Sequence, residues 1–318
     1  MIFPRSVVSA VHKEGSSSVQ SAGPSPKLLL VDGHAYGYRG FHAIRQLNAP
    51  DGSPTNAIFG FIKMLGKMRT IIAPSHLAVI WDGGLSADRV AAHPEYKAQR
   101  PPMPEGLARQ LDGIVEYLGA AGIPSWCRDG VEADDWIAAA ARRGADEGAS
   151  VVIASSDKDF MQLVTPQIGL LNPNDKTDRV WTSDEVMVKT GVRPEQIVDW
   201  LSLIGDSVDN IPGVPGVGPK TATELLRRFG SADALYQHLN EIVSERLRQN
   251  LTVSRGVVRR NQELIRLRED VGAPFRLTDA VPGREDTGRL IGLFERWGFR
   301  SMRQELEARF GPAQGELL

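Results

Sequence analysis

Three carboxylates stand together at the start of an alanine-rich stretch: Glu132, Asp134 and Asp135. One or two acidic residues in a first helical turn stabilise a helix by facing the positive end of its dipole. Glu132 and Asp135 share one face of an ideal helix, whereas Asp134 points elsewhere. All three therefore reach one pocket only if the helix begins at this point and its first residues are not yet helical.

Aspartates also follow the apolar runs of the chain that have the composition of buried strands. Residues 28–31 precede Asp32, residues 77–81 precede Asp82, and residues 151–154 precede Asp157 and Asp159. In an open parallel sheet, the carboxyl ends of the strands form the crevice in which ligands bind. We therefore expect these carboxylates to converge on one acidic pocket, where close like charges require cations. Oxygen ligands of this kind suit Mg²⁺ or Mn²⁺.

Each of these signals also has an ordinary structural explanation. Asp157 and Asp159 have period-two spacing and can face the same way at a strand end, but Asp-Lys-Asp also forms solvated turns. Asp206 and Asp209 can share a helical face and are equally suited to capping. The joint placement of the carboxylates, and not any single pair, predicts the metal site.

A glycine-rich segment at residues 213–222, with the sequence GVPGVGPKTA, opens a helix. Glycines allow a phosphate to approach the backbone, the free N–H groups of a helix start bind the anion, and Lys220 adds a charged contact. The spacing excludes a Walker loop, and the position after a helix excludes a dinucleotide-binding fingerprint. The alternative is a tight turn between two helices.

The bulk composition sets only loose bounds on function. The 318 residues carry a net charge of −2, which does not exclude nucleic-acid binding because local patches decide it. The single cysteine, Cys127, excludes an intramolecular disulfide and a cysteine-based zinc site, and we expect it to be an inert, partly buried thiol in a reducing cytosol. No apolar run approaches the roughly 20 residues that span a bilayer.

Apolar strands that alternate with helical segments predict an α/β fold with a parallel sheet. Strands are expected at 27–31, 77–81, 123–127, 151–154 and 168–171, with an edge strand at 179–181. A helix is expected with Ser53 as its N-cap and Pro54 at its first helical position. We divide the chain into a disordered extension at 1–26, an α/β domain at 27–190 and a mostly helical region at 191–318.

Residues 83–104 interrupt this alternation directly after Asp82 and carry Arg89, Tyr96, Lys97 and Arg100. Long insertions in compact domains tend to be lids or binding loops. Tyr38 and Tyr96 suit base stacking or a structural role equally. The arginine-rich residues 245–269 suit either a solvated helix face or a track for a duplex. Trp81 and Trp136 are expected in the core.

Together, these motifs resemble the 5′-nuclease family, which includes the N-terminal 5′→3′ exonuclease (flap endonuclease) domain of bacterial DNA polymerase I and its free-standing relatives. The resemblance covers residues 27–310 and rests on the order and spacing of the motifs. They are VDGH at 31–34, YR at 38–39, WD at 81–82, YKAQRPPMP at 96–104, EADD at 132–135, SDKD at 156–159, GDSVDNIPG at 205–213 and GVGPKTA at 216–222.

The resemblance implies a PIN-like α/β core, a helical arch formed by residues 83–104 and the next helix, and a helix-three-turn-helix (helix-hairpin-helix-like) element that binds duplex DNA. The phosphate-contacting, catalytic residues of the arch would be Arg89, Lys97 and Arg100. The DNA-binding residues would be Tyr38, Arg39, Tyr96, Gly216, Gly218, Lys220 and Thr221. A K⁺ ion is expected on the backbone of Gly216, Val217 and Gly218.

The resemblance also implies two Mg²⁺ ions about 4 Å apart, for which Mn²⁺ substitutes. One would be held mainly by Asp32, Asp82, Glu132 and Asp134. The other would be held mainly by Asp157, Asp159 and Asp209, with Asp135 and Asp206 acting through water. The implied function is cleavage of DNA at 5′ flaps, nicks and duplex–single-strand junctions, in replication and repair, to leave 5′-phosphate and 3′-hydroxyl ends.

Two other functions stay open. A PIN-type ribonuclease would share the acidic pocket, but the duplex-binding hairpin argues against it. A catalytically silent DNA-junction-binding protein would share the hairpin, but the intact acidic set argues against it. We expect a cytoplasmic, nucleoid-associated monomer, either free-standing or a fragment, with a DNA polymerase as a candidate partner.

Overall fold

The computed structural model describes residues 25–310 except 174, 176 and 273. The predicted disordered extension at 1–26 therefore lies outside the described residues, apart from Ser25 and Pro26. The strands are β1 (Lys27–Asp32), β2 (His76–Trp81), β3 (Ser125–Cys127), β4 (Ser150–Ala154), β5 (Ile168–Leu171), β6 (Val180–Trp181), β7 (Gly205–Asp206) and β8 (Ile211–Pro212). Within this part of the chain, β1 to β6 form one sheet and β7 pairs with β8.

The α-helices run along the chain in two groups. In the first half they are α1 (Gly33–Ala43), α2 (Asn56–Ile72), α3 (Ala87–Ala92), α4 (Glu105–Ala120) and α5 (Ala133–Asp146). In the second half they are α6 (Ser183–Thr190), α7 (Ile197–Ile204), α8 (Pro219–Phe229), α9 (Ala232–Gln237), α10 (Glu245–Val253), α11 (Arg255–Ile265), α12 (Thr287–Arg296) and α13 (Arg300–Phe310).

The sheet has the order β3-β2-β1-β4-β5-β6, in which β1 to β5 are parallel and β6 is antiparallel at one edge. The central strand β1 is buried on both faces because helices cover both sides of the sheet. Leu28 and Leu30 belong to one core cluster, whereas Leu29 and Val31 belong to the other. The predicted parallel α/β sheet is confirmed.

The two core clusters divide the helices between the faces of the sheet. The first cluster joins α5 to the helical region, through residues such as Leu201, Leu226 and Leu264. The second joins α1, α2 and α4 to the last two helices, through Leu290 of α12 and Met302 of α13. The segment 287–310, which the sequence had grouped with the helical region, therefore packs on the face of the sheet opposite to that region.

One helix was not expected from the sequence, and the start of another needs correction. Residues 33–43, to which no strand or helix was assigned, form helix α1, and Asp32 caps this helix by accepting the N–H of Ala35 at 2.9 Å. Helix α2 begins at Asn56 with Thr55 as its N-cap, two residues later than the predicted cap at Ser53. Pro54 instead forms a β-bridge with Asn48.

Residues 83–104 are anchored to the start of α5, to the end of α11 and to the β7–β8 loop through contacts of Ser86, Arg89 and His93. Ser86, Arg89, His93, Tyr96 and Lys97 are all buried. The helix that follows, α4, packs in the second core cluster and not in a free-standing arch. The predicted arch therefore lies against the body of the protein, because its cations pair with carboxylates at the start of α5 and in the β7–β8 loop.

The structure also shows where two tryptophans and the single cysteine lie, and whether any helix could span a membrane. Trp81 and Trp136 are buried in the core, as predicted. Cys127 is exposed on the edge strand β3, so the expected partial burial is wrong. None of the helices in the described residues combines the length and apolar character needed to cross a membrane.

Candidate active site

A cavity of about 420 Å³ opens at the carboxyl ends of the parallel strands, where the sequence predicted an acidic pocket. Six aspartates line it: Asp32, Asp82, Asp134, Asp157, Asp206 and Asp209. Their backbone positions are separated by as many as 177 residues in the sequence, from 32 to 209. The sheet and its loops therefore concentrate negative charge in one place.

Two of the strand-end aspartates are oriented by the helices that follow them. Asp32 caps α1 with one carboxylate oxygen and accepts the hydroxyl of buried Ser155 with the other, at 2.8 Å. Asp157 caps the 3₁₀ helix Lys158–Leu163 by accepting the N–H of Asp159 at 2.9 Å. The predicted period-two geometry of this pair is wrong, since Asp157 and Asp159 lie in a cap and a first turn and not in a strand.

Three carboxylates form a compact group that suits a metal ion. Asp159, Asp206 and Asp209 each offer an oxygen, and these oxygens lie within 4.8 Å of one another. The Oδ1 atom of Asp159 is buried and has no hydrogen-bond partner among the described residues. A buried carboxylate oxygen without a partner is costly, so a cation at this point is the natural compensation. Asp206 is thus placed to hold a cation with its own oxygen, whereas the resemblance implied a contact through water.

The electrostatics of the pocket agree with this geometry. Burial raises the pKa of Asp32 to about 6, and the neighbouring charges of Asp157 and Asp82 add to the effect. Burial and neighbouring carboxylates likewise raise the pKa of Asp134 and of Asp159. The ionised pocket is therefore unfavourable by itself and favours a bound cation.

Glu132 is the N-cap residue of α5, and both of its oxygens have partners. The N–H of Ser86 donates to Oε1 at 3.0 Å, while the Tyr96 hydroxyl donates to Oε2 at 3.1 Å and Lys97 also donates there. Against the opposing effect of burial, Lys97 and Arg89 lower the pKa of Glu132 to about 2. Glu132 thus anchors the 83–104 segment to the site.

Arg89 does not reach the cavity. It makes two hydrogen bonds of 2.7 Å to Asp135, lies 3.1 Å from Glu132 and donates to the carbonyls of Leu264 and Arg266. Its side chain is only 6% exposed. The predicted roles of Arg89 as a phosphate contact and of Asp135 as a metal ligand are therefore wrong, because the two side chains neutralise each other below the site.

Comparison with known proteins places this arrangement in a family. A family model described as the 5′-3′ exonuclease N-terminal resolvase-like domain matches residues 27–191, and one described as the 5′-3′ exonuclease C-terminal SAM fold matches residues 192–287. The chain belongs to the 5′-3′ exonuclease family. The resemblance seen in the sequence is confirmed.

Relatives of this family member include whole proteins and parts of larger ones. A 5′-3′ exonuclease of Aquifex aeolicus is 35% identical over 90% of this chain and 97% of its own length. DNA polymerase I of Bacillus caldotenax is 37% identical over 89% of this chain. The chain spans about a third of the length of that polymerase, 32%.

Solved structures share the fold of this family member at low identity. The T5 D15 protein, co-crystallised with metal ions, has a TM-score of 0.65 and 22% identity, and covers 89% of this chain and 98% of its own. The catalytic core of Rad2, in complex with a DNA substrate, has a TM-score of 0.63 and 18% identity, and covers 90% of this chain and 93% of its own. The predicted fold class, an α/β domain followed by a helical region, is confirmed.

Arg100 and Lys97, the other two cations predicted to contact phosphate, differ in exposure. Arg100 lines the cavity, is 39% exposed and donates to Asp209 at 2.6 Å. Lys97 is buried and lies 3.8 Å from Asp134 and 3.9 Å from Asp209, besides its bond to Glu132. These carboxylates raise the pKa of Lys97 against the opposing effect of burial. Arg100 therefore faces the cavity, and Lys97 contacts the carboxylates from beneath.

Among the predicted aromatic contacts, only Tyr38 is placed to meet a ligand. Tyr38 lines the cavity and stacks on His42, with ring centroids 6.4 Å apart. Tyr96 is 3% exposed and hydrogen-bonds Glu132, so its predicted base-stacking role is wrong. Arg39 lies beside a separate cavity with Met64 and does not line the acidic one.

A lysine and a histidine that the sequence did not mark as site residues also line the acidic cavity. Lys158 lies between Asp157 and Asp159 in sequence, and its Nζ is 3.2 Å from Asp206. The Nδ1 atom of His34 accepts the N–H of Asp82 at 3.1 Å. A lysine flanked by two ligand candidates is a usable sequence signal for the first, whereas nothing local predicts the second.

The glycine-rich hairpin at residues 213–222 follows the β7–β8 hairpin and leads into α8. It is held at its base by the N–H of Val214, which donates to Leu203 at 2.8 Å. Gly216 has a φ of +77°, which only glycine adopts readily, whereas Gly218 has a φ of −102° and open space where a Cβ would lie. Lys220 is exposed in the first turn of α8, and Thr221 is half-buried.

Proposed function

We propose that this chain is a structure-specific 5′→3′ exonuclease and 5′-flap endonuclease that hydrolyses DNA phosphodiesters with divalent metal ions. The observation that carries the proposal is the convergence of six aspartates on one cavity, with an unpartnered Asp159 oxygen among three close carboxylates. Family membership supports it, as do relatives named 5′-3′ exonuclease and DNA polymerase I.

Divalent metal ions fit the donor set, which consists of carboxylate oxygens. We propose that Asp159, Asp206 and Asp209 hold one ion and that Asp32, Asp82, Asp134 and Asp157 hold a second. Mg²⁺ is the expected ion and Mn²⁺ its substitute. When bound, these ions would offset phosphate charge and make water more acidic. Glu132 stays outside the proposed ligand set, because both of its oxygens are already engaged.

The residues of the chain itself supply orientation and charge. Arg100 is placed at the cavity wall to neutralise charge that develops on the reacting phosphate, and Lys97 fixes Glu132 and Asp134 beneath it. Tyr38 offers a ring face to the base at the cleavage position. We propose 5′-phosphate and 3′-hydroxyl products and recognition of DNA structure, because phosphate contacts position a duplex without reading its bases.

Duplex DNA would lie along the hairpin and the arginine-bearing helices beside it. Gly216, Gly218, Lys220 and Thr221 present backbone and side-chain donors at the start of α8. The predicted K⁺ site on the backbone of residues 216–218 stays a prediction. A polymerase partner and a location at the nucleoid are further proposals, suggested by the relatives that are polymerases.

One comparison of substrates separates this function from the ribonuclease alternative. A 5′-flap DNA and a single-stranded RNA of the same sequence as the flap strand are incubated with the protein and Mg²⁺. We expect the DNA flap to be cut at its junction and the RNA to stay intact. Preferred cleavage of the RNA would establish the ribonuclease function in its place.

Lys220→Ala is expected to weaken binding to every duplex-containing substrate, whatever its sequence. The plot of log affinity against log salt should become flatter by about one unit, since one phosphate contact is lost. The rate at saturating protein should change little. Lys63→Ala, at another exposed lysine on α2, is the matched control. An unchanged salt slope with a collapsed saturated rate would place the hairpin in the active site.

The two glycines of the hairpin should respond differently to alanine. Gly216→Ala should lower the free energy of unfolding by about 1–2 kcal/mol because of its positive φ. Gly218 is the N-cap of α8 and has nothing within 4 Å of an added Cβ, so Gly218→Ala should change the unfolding free energy by less than about 1 kcal/mol, yet it should weaken duplex binding. Denaturant titration and duplex binding measure the two effects. Wild-type binding by the stable Gly218 variant would mean that no phosphate approaches this backbone.

A further inference from the structure

Two asparagines on consecutive helices each donate to a proline carbonyl, one within the glycine-rich hairpin and the other in the β7–β8 hairpin just before it. Asn250 of α10 donates to Pro215 at 2.9 Å. Asn261 of α11 donates to Pro212 at 2.7 Å and to the carbonyl of Ser202 at 3.0 Å. The first bond holds the phosphate-binding turn, and the second holds the end of the β7–β8 hairpin.

The β7–β8 hairpin needs support from outside. It has two paired residues in each strand, and isolated two-stranded hairpins are at best marginally stable. Its sequence nevertheless carries Asp206 and Asp209, two of the three carboxylates of the compact group. Asn261 reaches it from α11 and is 0% exposed, so the donor side of this bond is shielded from water.

The donor side of Asn261 carries the interaction. Its Nδ2 atom faces two carbonyls, while its Oδ1 atom is buried and without a hydrogen-bond partner among the described residues. A flipped amide would place an oxygen against two carbonyl oxygens, which fixes the orientation. An unsatisfied buried acceptor costs free energy, so the two hydrogen bonds donated by Nδ2 are the favourable contribution of this side chain.

We propose that Asn261 positions Asp206 and Asp209 for metal binding, whereas Asn250 positions the phosphate-binding turn. Helices α10 and α11 then form a brace that sets the spacing between the duplex grip and the carboxylates. The inference rests on the proposed function for the meaning of these two sites. It assigns separate roles to two chemically identical side chains, so each is the matched control of the other.

The test uses Asn261→Leu and Asn250→Leu in the full chain, with two readouts that do not depend on cleavage. Calorimetric titration gives the affinity for Mn²⁺ without DNA, and fluorescence anisotropy gives the affinity for a nicked duplex in EDTA. Outer groups that orient metal ligands typically contribute 10- to 100-fold to metal affinity. We expect Asn261→Leu to weaken Mn²⁺ binding by about tenfold or more and to leave duplex binding within about twofold.

Asn250→Leu should show the reverse pattern, with weaker duplex binding and unchanged Mn²⁺ affinity. Should Asn261→Leu fail to fold, Asn261→Ser takes its place, since one hydroxyl can serve only one of the two carbonyls; a smaller Mn²⁺ loss is then expected. Normal Mn²⁺ affinity in a folded Asn261 variant overturns the proposal, and so does an equal loss of both affinities in both variants. A wild-type protein that binds Mn²⁺ and duplex but cuts no flap refutes the proposed function alone.

Discussion

Replacing Asp159 with asparagine should abolish flap cleavage, with a loss of about 10³-fold or more in the single-turnover rate. The substitution keeps the shape of the side chain and removes the charge from the group in which Asp159, Asp206 and Asp209 converge. It also removes the carboxylate whose Oδ1 atom is buried without a partner among the described residues. Cleavage of a 5′-labelled flap in rapid-mixing experiments measures the rate.

Binding should survive this substitution. Affinity for the same flap should stay within about tenfold of wild type, and it could rise slightly because one negative charge near the phosphate is gone. Asp112→Asn, at an exposed aspartate of α4, is the matched control and should cleave normally. Near-normal turnover by the Asp159 variant would refute the proposed metal-binding group.

Arg89→Ala should destabilise the protein by about 3–5 kcal/mol, the usual cost of leaving a buried charge without its partner. The substitution leaves Asp135 buried and uncompensated and takes the donor from the carbonyls of Leu264 and Arg266. Denaturant unfolding measures the loss of free energy. Arg89→Lys should recover only part of it, because an ammonium cannot make the two parallel bonds of the guanidinium.

Arg100→Ala is the matched comparison within the same segment and should behave in the opposite way. Its side chain is 39% exposed at the cavity, so the free energy of unfolding should change by less than about 1 kcal/mol. The single-turnover rate should fall by about 10²-fold if Arg100 neutralises charge in the transition state. A stable Arg89→Ala variant with slow cleavage would restore Arg89 as a phosphate contact and contradict its structural role.

The sheet was predictable because its strands are apolar runs with clear limits. The strand Ile168–Leu171 has the predicted bounds, and the edge strand was predicted within one residue. Helix α1 was not predicted, since Gly33, Gly37 and Gly40 lower the intrinsic helix propensity. These glycines serve tertiary packing: a Cβ on Gly40 would lie 2.7 Å from the carbonyl of Ala57 in α2. Contacts between distant segments thus override the local preference.

The sequence predicted which aspartates line the acidic site, but it did not predict which carboxylates pair with which cations. Aspartates at strand ends predict a shared pocket, because the carboxyl ends of parallel strands lie at one edge of the sheet. No local pattern shows that Arg89 pairs with Asp135, 46 residues away, and reaches the carbonyl of Leu264, 175 residues away. The choice between Asp134 and Asp135 depended on where α5 begins. With Glu132 as its N-cap, Asp134 faces the cavity and Asp135 faces Arg89.

The most direct test of the proposed function is the fate of a 5′-labelled flap with and without Mg²⁺. We expect a single main cut at the junction, which is lost in EDTA and returns when Mg²⁺ is added. The released flap should end in a 3′-hydroxyl that a polymerase can extend. Cleavage that persists without any divalent metal would contradict the role of the carboxylates. Tight binding of the flap without cleavage at any Mg²⁺ concentration would instead identify a junction-binding protein.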